Sequence, residues 1–597
     1  MKTFFASLGG AVVGSIIGLF LLFFVGMALI QYAINDAVQS AAGPSTGQDD
    51  GNPIVLTLDM RTGYADQAPT TGPEVLFGGG VGFTDIITRL EAAVTDDQVK
   101  GLFIRASDYG VGSSRAGEFR DVFLKFKEEG KFIVTHSQGS YGSASGYRAI
   151  ASSDEIWIQE GTTVIASGLA LETLFLKGLF DNLSITPEFE AFYEFKSAVN
   201  TFEEETYTEA HRSNLTQLAE SLWTTTLSDI ATDRGLPITN VRETLESGPL
   251  SDQQMIGAGL ATQSGWPEDA RDSAMDRAGE DAIDIDVASY TPPSTKFGSP
   301  VIAIVGGQGG IVNGGAGGSL FQEGSGFASD SIAAALLEAG RDDDVEAVVF
   351  RVDSPGGSPS ASDQIWRAIE RIQDEEDKPV VVSMASVAAS GGYYVSTGAD
   401  WIVANRSTIT GSIGIFGGKF AIEEGLARIG INAETIVVGG EFTGAFSTTE
   451  AFSDEQRAQF RTFLKQGYDR FTKLVAEGRE LTPEQIDQVA RGRVWSGEDA
   501  LQVGLVDELG GLNTAIGKAK ELAEIEDGTD VRLVTYPMAT GRLPFLGGAS
   551  GATAEELKAI GQFAQFINEP EVQALMTEIE AARSSQIQAR MPALIER

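Results

Sequence analysis

The chain has no cysteine, only two histidines, and about half as many cationic as anionic side chains. Each shortage removes a kind of chemistry. Without cysteine there is no disulfide, no thiolate nucleophile and no zinc–thiolate site. His136 follows the apolar, strand-like run Phe132-Ile133-Val134, and His211 lies in a polar stretch. Neither sits in a motif that supplies a catalytic partner, so both read as surface or strand-end residues. A Ser-His-Asp triad and a metal centre are not expected. Lys and Arg total 43 against 84 Asp and Glu, a formal net charge of −41. Nucleic-acid binding needs a basic face and is disfavoured. The acidic runs at 203–205, 342–344 and 374–377 read as solvated loops and helix ends, and none has the spaced ligands of a calcium loop.

Charge is also missing from Phe4 to Ile34, a mostly apolar run. That exceeds the roughly 20 residues that cross a bilayer as a helix, and it is longer than a signal peptide's apolar core. An uncleaved anchor over residues 1–35 is expected, with Ala41-Ala42-Gly43 as the site if the segment is instead cleaved. Lys2 precedes it, and Asp36, Asp49 and Asp50 follow. The positive-inside tendency then puts the amino terminus in the cytoplasm and the body outside it. Residues 36–52 read as a flexible linker.

At 597 residues and 42% hydrophobic content, several domains are expected. Strand-like runs (Ile54–Leu58, Gly101–Ile104, Phe132–Val134) alternate with helix-like ones (Ile86–Val94, Arg115–Lys127), which implies parallel βαβ units. The order then recurs: Val301–Val305, Ile332–Leu337, Ala347–Val352, Ser362–Ile372, Val380–Val382. A slide of 246 residues aligns the two halves. Val99–Arg105 falls on Val345–Arg351, Tyr147 on Tyr393, Asp154 on Asp400 and Ile185 on Ile431. Self-similarity at one fixed spacing means duplication. The copies are assigned to residues 53–295 and 296–528, with a tail of unassigned role at 529–597. Gly306–Ser319 is glycine-rich but lacks the ending of a phosphate loop, and it reads as a mobile loop after a strand.

The copies differ where chemistry is possible. Ser390, in Ala388-Ala389-Ser390-Gly391-Gly392, aligns with Ala144. Lys196, in Phe195-Lys196-Ser197-Ala198, aligns with Phe442. Alone, Ser390 reads as a helix cap, and the α/β-hydrolase elbow is not met because Ala388 replaces its first glycine. Alone, Lys196 reads as a surface lysine paired with Glu194. Together they are a complementary loss, as one site shared by two repeats would leave. Burial among aromatic neighbours would lower the lysine pKa toward that of a base. The turn Asp353-Ser354-Pro355-Gly356-Gly357 ends a strand with glycines whose N–H groups a ligand can approach.

These motifs resemble the long-form signal peptide peptidases of serine peptidase family S49. The resemblance spans nearly all of 53–528. It rests on Arg351–Ser358, Ala388–Tyr394, Thr410–Phe416 and Phe195–Val199, with Val494–Gly497 and Gly504–Asp507. It implies an α/β class: a tandem duplication of a crotonase/ClpP-like domain behind one transmembrane helix. It implies Ser390 as nucleophile, Lys196 as general base, and Ser412 as the hydroxyl that orients the lysine. The oxyanion hole would be Gly391 with Gly357 or Gly356. No cofactor is implied. The substrates would be cleaved signal peptides at the bilayer, and the assembly a homotetrameric bowl. Two departures stand out. Asp353 replaces a common Asn at the strand end, and Glu194-Phe195 replace Thr-Tyr, bringing a carboxylate that would raise the Lys196 pKa. Two other readings are a non-catalytic membrane scaffold and an acyl-CoA enzyme on the same fold.

Overall fold

Alternating apolar runs of five to ten residues and amphipathic helices produce two mainly parallel sheets in the computed structural model. It describes residues 51–537, except 62, 69–80, 107–110, 140–143, 296–297, 316–325 and 527, together with 587–590 and 595–596. The expected anchor at 1–35, most of the linker and most of the tail at 529–597 lie outside the described residues. Among the described residues, no helix is long and apolar enough to cross a membrane.

The first repeat carries β1 (Ile54–Asp59), β2 (Val99–Ala106), β3 (Phe132–Ser137), β4 (Glu155–Gln159), β5 (Thr163–Val164), β6 (Leu171–Glu172), β7 (Thr186–Phe192), β8 (Leu250–Ser251), β9 (Gln263–Gly265) and β10 (Ile283–Asp286). Its main sheet runs β10-β1-β2-β3-β4-β9, all parallel. The second carries β11 (Val301–Gln308), β12 (Val345–Ser354), β13 (Gly356–Gly357), β14 (Val380–Ala389), β15 (Trp401–Ala404), β16 (Ile409–Gly411), β17 (Ile415–Ala421), β18 (Val494–Ser496), β19 (Glu508–Leu509) and β20 (Arg532–Tyr536). Its sheet runs β18-β16-β14-β12-β11-β20, with β15 and β19 branching from β14. Two short strands near the carboxyl end, β21 (Ile587–Arg590) and β22 (Ile595–Glu596), pair with other elements.

The duplication holds at the level of single hydrogen bonds. The Tyr147 hydroxyl donates to Leu260 O, as Tyr393 donates to Leu505 O. Asp154 caps Ile133 N at 2.8 Å, as Asp400 caps Val380 N at 2.8 Å. Tyr290 donates to Asp96 at 2.7 Å, as Tyr536 donates to Asp342 at 2.6 Å. The last pair corrects the boundary at 528. β20 is the edge strand of the second sheet, parallel to β11, so the second repeat extends into the supposed tail. The glycine-rich stretch is also more regular than expected. Gly306–Gln308 continue β11, and Ile311 bridges to Gly357.

Both faces of the second sheet are buried, which is why its strands are continuous apolar runs. Residues of one parity (Val301, Ala303, Val348, Phe350, Val380, Val382) pack under the helices Ser329–Arg341 and Pro359–Glu376. Those of the other parity (Ile302, Ile304, Ala347, Val349, Val381) join the core of the first repeat. The repeats are therefore fused through one shared core.

An ion cluster crosses this core. Arg351, on β12, is fully buried. Its guanidinium donates to Asp66 at 3.0 Å and Glu118 at 2.8 Å, both in the first repeat, and to Ser383 Oγ at 3.0 Å. Glu118 also accepts from Leu512 N at 2.9 Å. Such a cluster adds little net stability while intact, but removing one member strands the others in a low-dielectric interior. Arg351→Ala is expected to cost about 3–5 kcal/mol, read as a large fall in thermal midpoint. A midpoint within a degree of wild type would show that the cluster is solvated.

Candidate active site

The helix Gly391–Ser396 starts directly at the end of β14, and Ser390 is the hinge between them. Its backbone stands at φ 55, ψ −113, a region that costs a non-glycine residue on the order of 1–3 kcal/mol. Ser390 N donates to Gly411 O at 2.8 Å, and Ser390 O accepts from Tyr394 N at 2.8 Å. The strand–turn–helix of a nucleophile elbow is thus present without its sequence signature.

The lysine arrives from the other repeat. β7 runs antiparallel to β17 in a seven-residue register, Ile415 opposite Phe192 through Ala421 opposite Thr186. The chain then turns, with Lys196 N donating to Tyr193 O at 3.0 Å, and the side chain enters the seam beside Ser390. Lys196 Nζ lies 2.6 Å from Ser390 Oγ, 3.0 Å from Ser412 Oγ and 3.0 Å from Ser412 O. Lys196, Ser390 and Ser412 are all buried. The amine is thus within hydrogen-bond reach of Ser390 Oγ and of both Ser412 oxygens. Burial pushes the Lys196 pKa well below the ordinary lysine range.

Two glycines that sequence reading missed make the slot for the lysine. A Cβ on Gly492 would come within 2.3 Å of Lys196 N, and one on Gly414 within 3.1 Å of Lys196 Cδ. Their nearest signal was glycine density, which does not say what approaches. Asn214 also went unremarked. Its side-chain amide bonds Val494 N at 2.9 Å and Val494 O at 3.0 Å, tying the first repeat to β18, the partner of β16 beside Ser412.

The glycine loop packs against Gly391, the residue after Ser390. Gly356 N donates to Ser354 Oγ at 3.1 Å and is occupied. Gly391 begins its helix, where an N–H has no intrahelical acceptor. A Cβ on Gly391 would come within 3.0 Å of Gly357 N, so the glycine loop packs closely on the start of this helix. Gly357 tolerates no side chain, because a Cβ would meet Ile311 O at 2.1 Å. β21 lies in the same cleft, antiparallel to β13 at Gly356–Gly357 and to β17 at Phe416–Gly417. The cleft therefore accepts an extended backbone as a strand.

Two expectations need correcting. Glu194 does not face Lys196: it is exposed and pairs with Arg491 at 3.0 Å. The histidines are not at the surface. Both are buried, and burial pushes each down to about 4. His136 Nε2 lies 3.3 Å from Gly265 O and His211 Nδ1 3.4 Å from the Asn200 amide. Asp353 keeps a strand-end bond, accepting from Val387 N at 3.1 Å, with Arg115 at 3.7 Å. Burial and the neighbouring Asp66 push its pKa up to about 6, against the pull of Arg115.

The fold and the site define a class: a duplicated parallel α/β enzyme with a serine at the seam of its repeats. The comparisons are more particular. The model of peptidase family S49 matches residues 125–281 and 372–526, one segment in each repeat. Protease 4 of Haemophilus influenzae is 31% identical over 479 residues, 75% of this chain and 74% of that protein. The chloroplastic serine protease SPPA of Arabidopsis thaliana is 28% identical over 511 residues, 84% of this chain and 73% of that protein. Protease 4 of Salmonella typhi is 31% identical over 471 residues, 74% and 72% respectively. The chain belongs to peptidase family S49 and is a serine protease. That sets aside the scaffold and acyl-CoA readings.

Two titrations follow. The folded pKa of Lys196 lies below its unfolded value, so below 10.5 the unfolded chain binds a proton that the folded chain lacks. The lysine thus costs stability at neutral pH, and the cost fades as pH rises toward 10.5. Lys196→Met is expected to raise the thermal midpoint at pH 7, by an increment that shrinks by pH 10. An equal increment at both pH values would contradict neutral burial. Asp353 is shifted the other way, so its stabilising contribution is lost as pH rises through about 6. Asp353→Asn is expected to stabilise the protein at pH 8 and to lose that advantage by pH 4. A constant difference would remove the shift.

Proposed function

We propose that the protein is a membrane-anchored Ser/Lys endopeptidase that degrades cleaved signal peptides and similar apolar peptides. The observation that carries this reading is the buried 2.6 Å contact between Lys196 Nζ and Ser390 Oγ. The hydroxyl needs a base near the operating pH, and a desolvated amine is one.

The substrate binds as an added strand between β13 and β17, the place β21 takes. Main-chain bonds of this kind grip any extended peptide. Neutral Lys196 removes the Ser390 proton as Oγ attacks the scissile carbonyl. The Gly391 and Gly357 amides stabilise the oxyanion. The lysine, now an ammonium held by Ser412, gives its proton to the leaving amine. Water then attacks the ester, delivering a proton to Lys196, and the acid departs with Ser390 restored. The base must be neutral, so activity falls as pH drops through the lysine pKa. The rest of the reading is support by location. The apolar run at 4–34 would hold the body on the periplasmic side of the inner membrane, beside signal peptides. The assembly would be a homotetramer.

Cleavage of an apolar signal-peptide-like substrate in detergent tests this. Ser390→Ala and Lys196→Ala are each expected to lose about 10³-fold or more in kcat/KM. Ser412→Ala is expected to lose roughly tenfold, the worth of one hydrogen bond to a charged group. Full activity in folded Lys196→Ala would remove the lysine from the mechanism.

A further inference from the structure

The carboxyl-terminal segment touches both repeats at equivalent strands. β21 lies antiparallel to β17, with Ile587 opposite Gly417. β22 lies antiparallel to β6, with Glu596 opposite Leu171. A slide of 246 residues carries Leu171 onto Gly417, so β6 is the first repeat's copy of β17. One segment thus adds a strand in the catalytic cleft and, nine residues further along, on the matching strand of the repeat that has Ala144 in place of the serine. Nine residues span about 30 Å at full extension, so both edges lie within reach of one extended peptide.

The strand at β6 is anchored next to the catalytic machinery. Leu169 and Leu171 pack against an apolar cluster that holds Leu218 and Leu222, from the helix Glu209–Arg234, together with Ala389, the residue before Ser390. The two strand-receiving edges therefore share a floor. An edge of this kind grips its partner through main-chain N–H and C=O groups. It needs no nucleophile and no particular side chain opposite it. Loss of the serine from the first repeat removes chemistry there and leaves this capacity, which β22 uses.

We infer that the first repeat is a second peptide-binding site: a long extended substrate lies on β17 beside Ser390 and continues onto β6, along the path that β21 and β22 mark. The occupant is one continuous peptide, because the two marking strands belong to one segment of chain. The part on β6 lies toward the carboxyl end of the substrate. Contacts there are equal in the ground state and the transition state, so they lower KM and leave the chemical step unchanged. The chain's own segment holds the same two edges and competes with substrate for both. The inference rests on the reading of the cleft between β13 and β17 as the substrate groove.

Peptide binding tests this without catalysis, in full-length protein carrying Ser390→Ala. Ala589→Pro and Ile595→Pro in the same protein remove two main-chain N–H groups from its own segment and loosen its hold. Two fluorescently labelled peptides are compared, one with the sequence of residues 585–597 and one ending at residue 592. The longer is expected to bind roughly tenfold more tightly, the worth of one or two main-chain hydrogen bonds. Glu172→Pro in β6 is expected to abolish that gain and to leave the affinity of the shorter peptide unchanged, which also shows that the variant is folded. The longer peptide made with Ile595→Pro is expected to lose the gain while the protein stays intact. Equal affinities for the two unaltered peptides would overturn the inference and leave the cleft reading standing. A gain that survives both proline changes would overturn it too, because the extra residues would then bind elsewhere. Binding of neither peptide would overturn the reading of the cleft, and the inference with it.

Discussion

A single lysine amine buried against a serine hydroxyl sets the terms for the rest of this molecule. An ammonium in that position faces desolvation with no carboxylate to offset it, which pushes the pKa well below the ordinary lysine range. Everything around it serves that placement. Both Ser412 oxygens lie within hydrogen-bond reach, Gly414 and Gly492 leave room for the stem, and the seven-residue pairing of β7 with β17 delivers it. Because β7 and β17 come from different repeats, the site exists only where the repeats are fused.

Fusion explains how a duplicated chain keeps one serine and one lysine. Two unlinked copies would each need both residues. On the proposed Ser/Lys reading, once the shared core and the Arg351 cluster bind the repeats in one orientation, a second serine and a second lysine are not needed. Ala144 and Phe442 occupy their places. The strain at Ser390 fits the same logic. A serine at positive φ persists only where its surroundings over-determine it. Gly411 O, Tyr394 N and the start of the helix do so here.

The parts of this site that were legible in sequence are those the duplication marks by contrast. Ser390 and Lys196 stand out only because Ala144 and Phe442 do not match them. The strand and helix order was legible because its apolar periods repeat. What was hidden depends on long-range approach. Gly492 looks like any turn glycine until Lys196 packs on it. Arg351 reads as one more strand residue until Asp66 and Glu118, far away in the chain, close around it. His136 gave no sign of burial, because a strand end and a strand interior look alike over three apolar residues. Glu194 was judged by its distance along the chain, and a side chain two residues away in a turn points elsewhere. β20 was lost in the tail because an edge strand, half exposed, carries a weak apolar period.

The central claim is that Lys196 is neutral at working pH. An NMR titration of the Lys196 side chain reads this directly, in full-length protein carrying Ser390→Ala so that no substrate or product complicates the signal. The account predicts an amine that stays unprotonated through neutral pH, with a midpoint far below 10.5 and a chemical shift distinct from the surface lysines. A Lys196 signal that titrates with the surface lysines, near 10.5, would contradict it and leave Ser390 without its base.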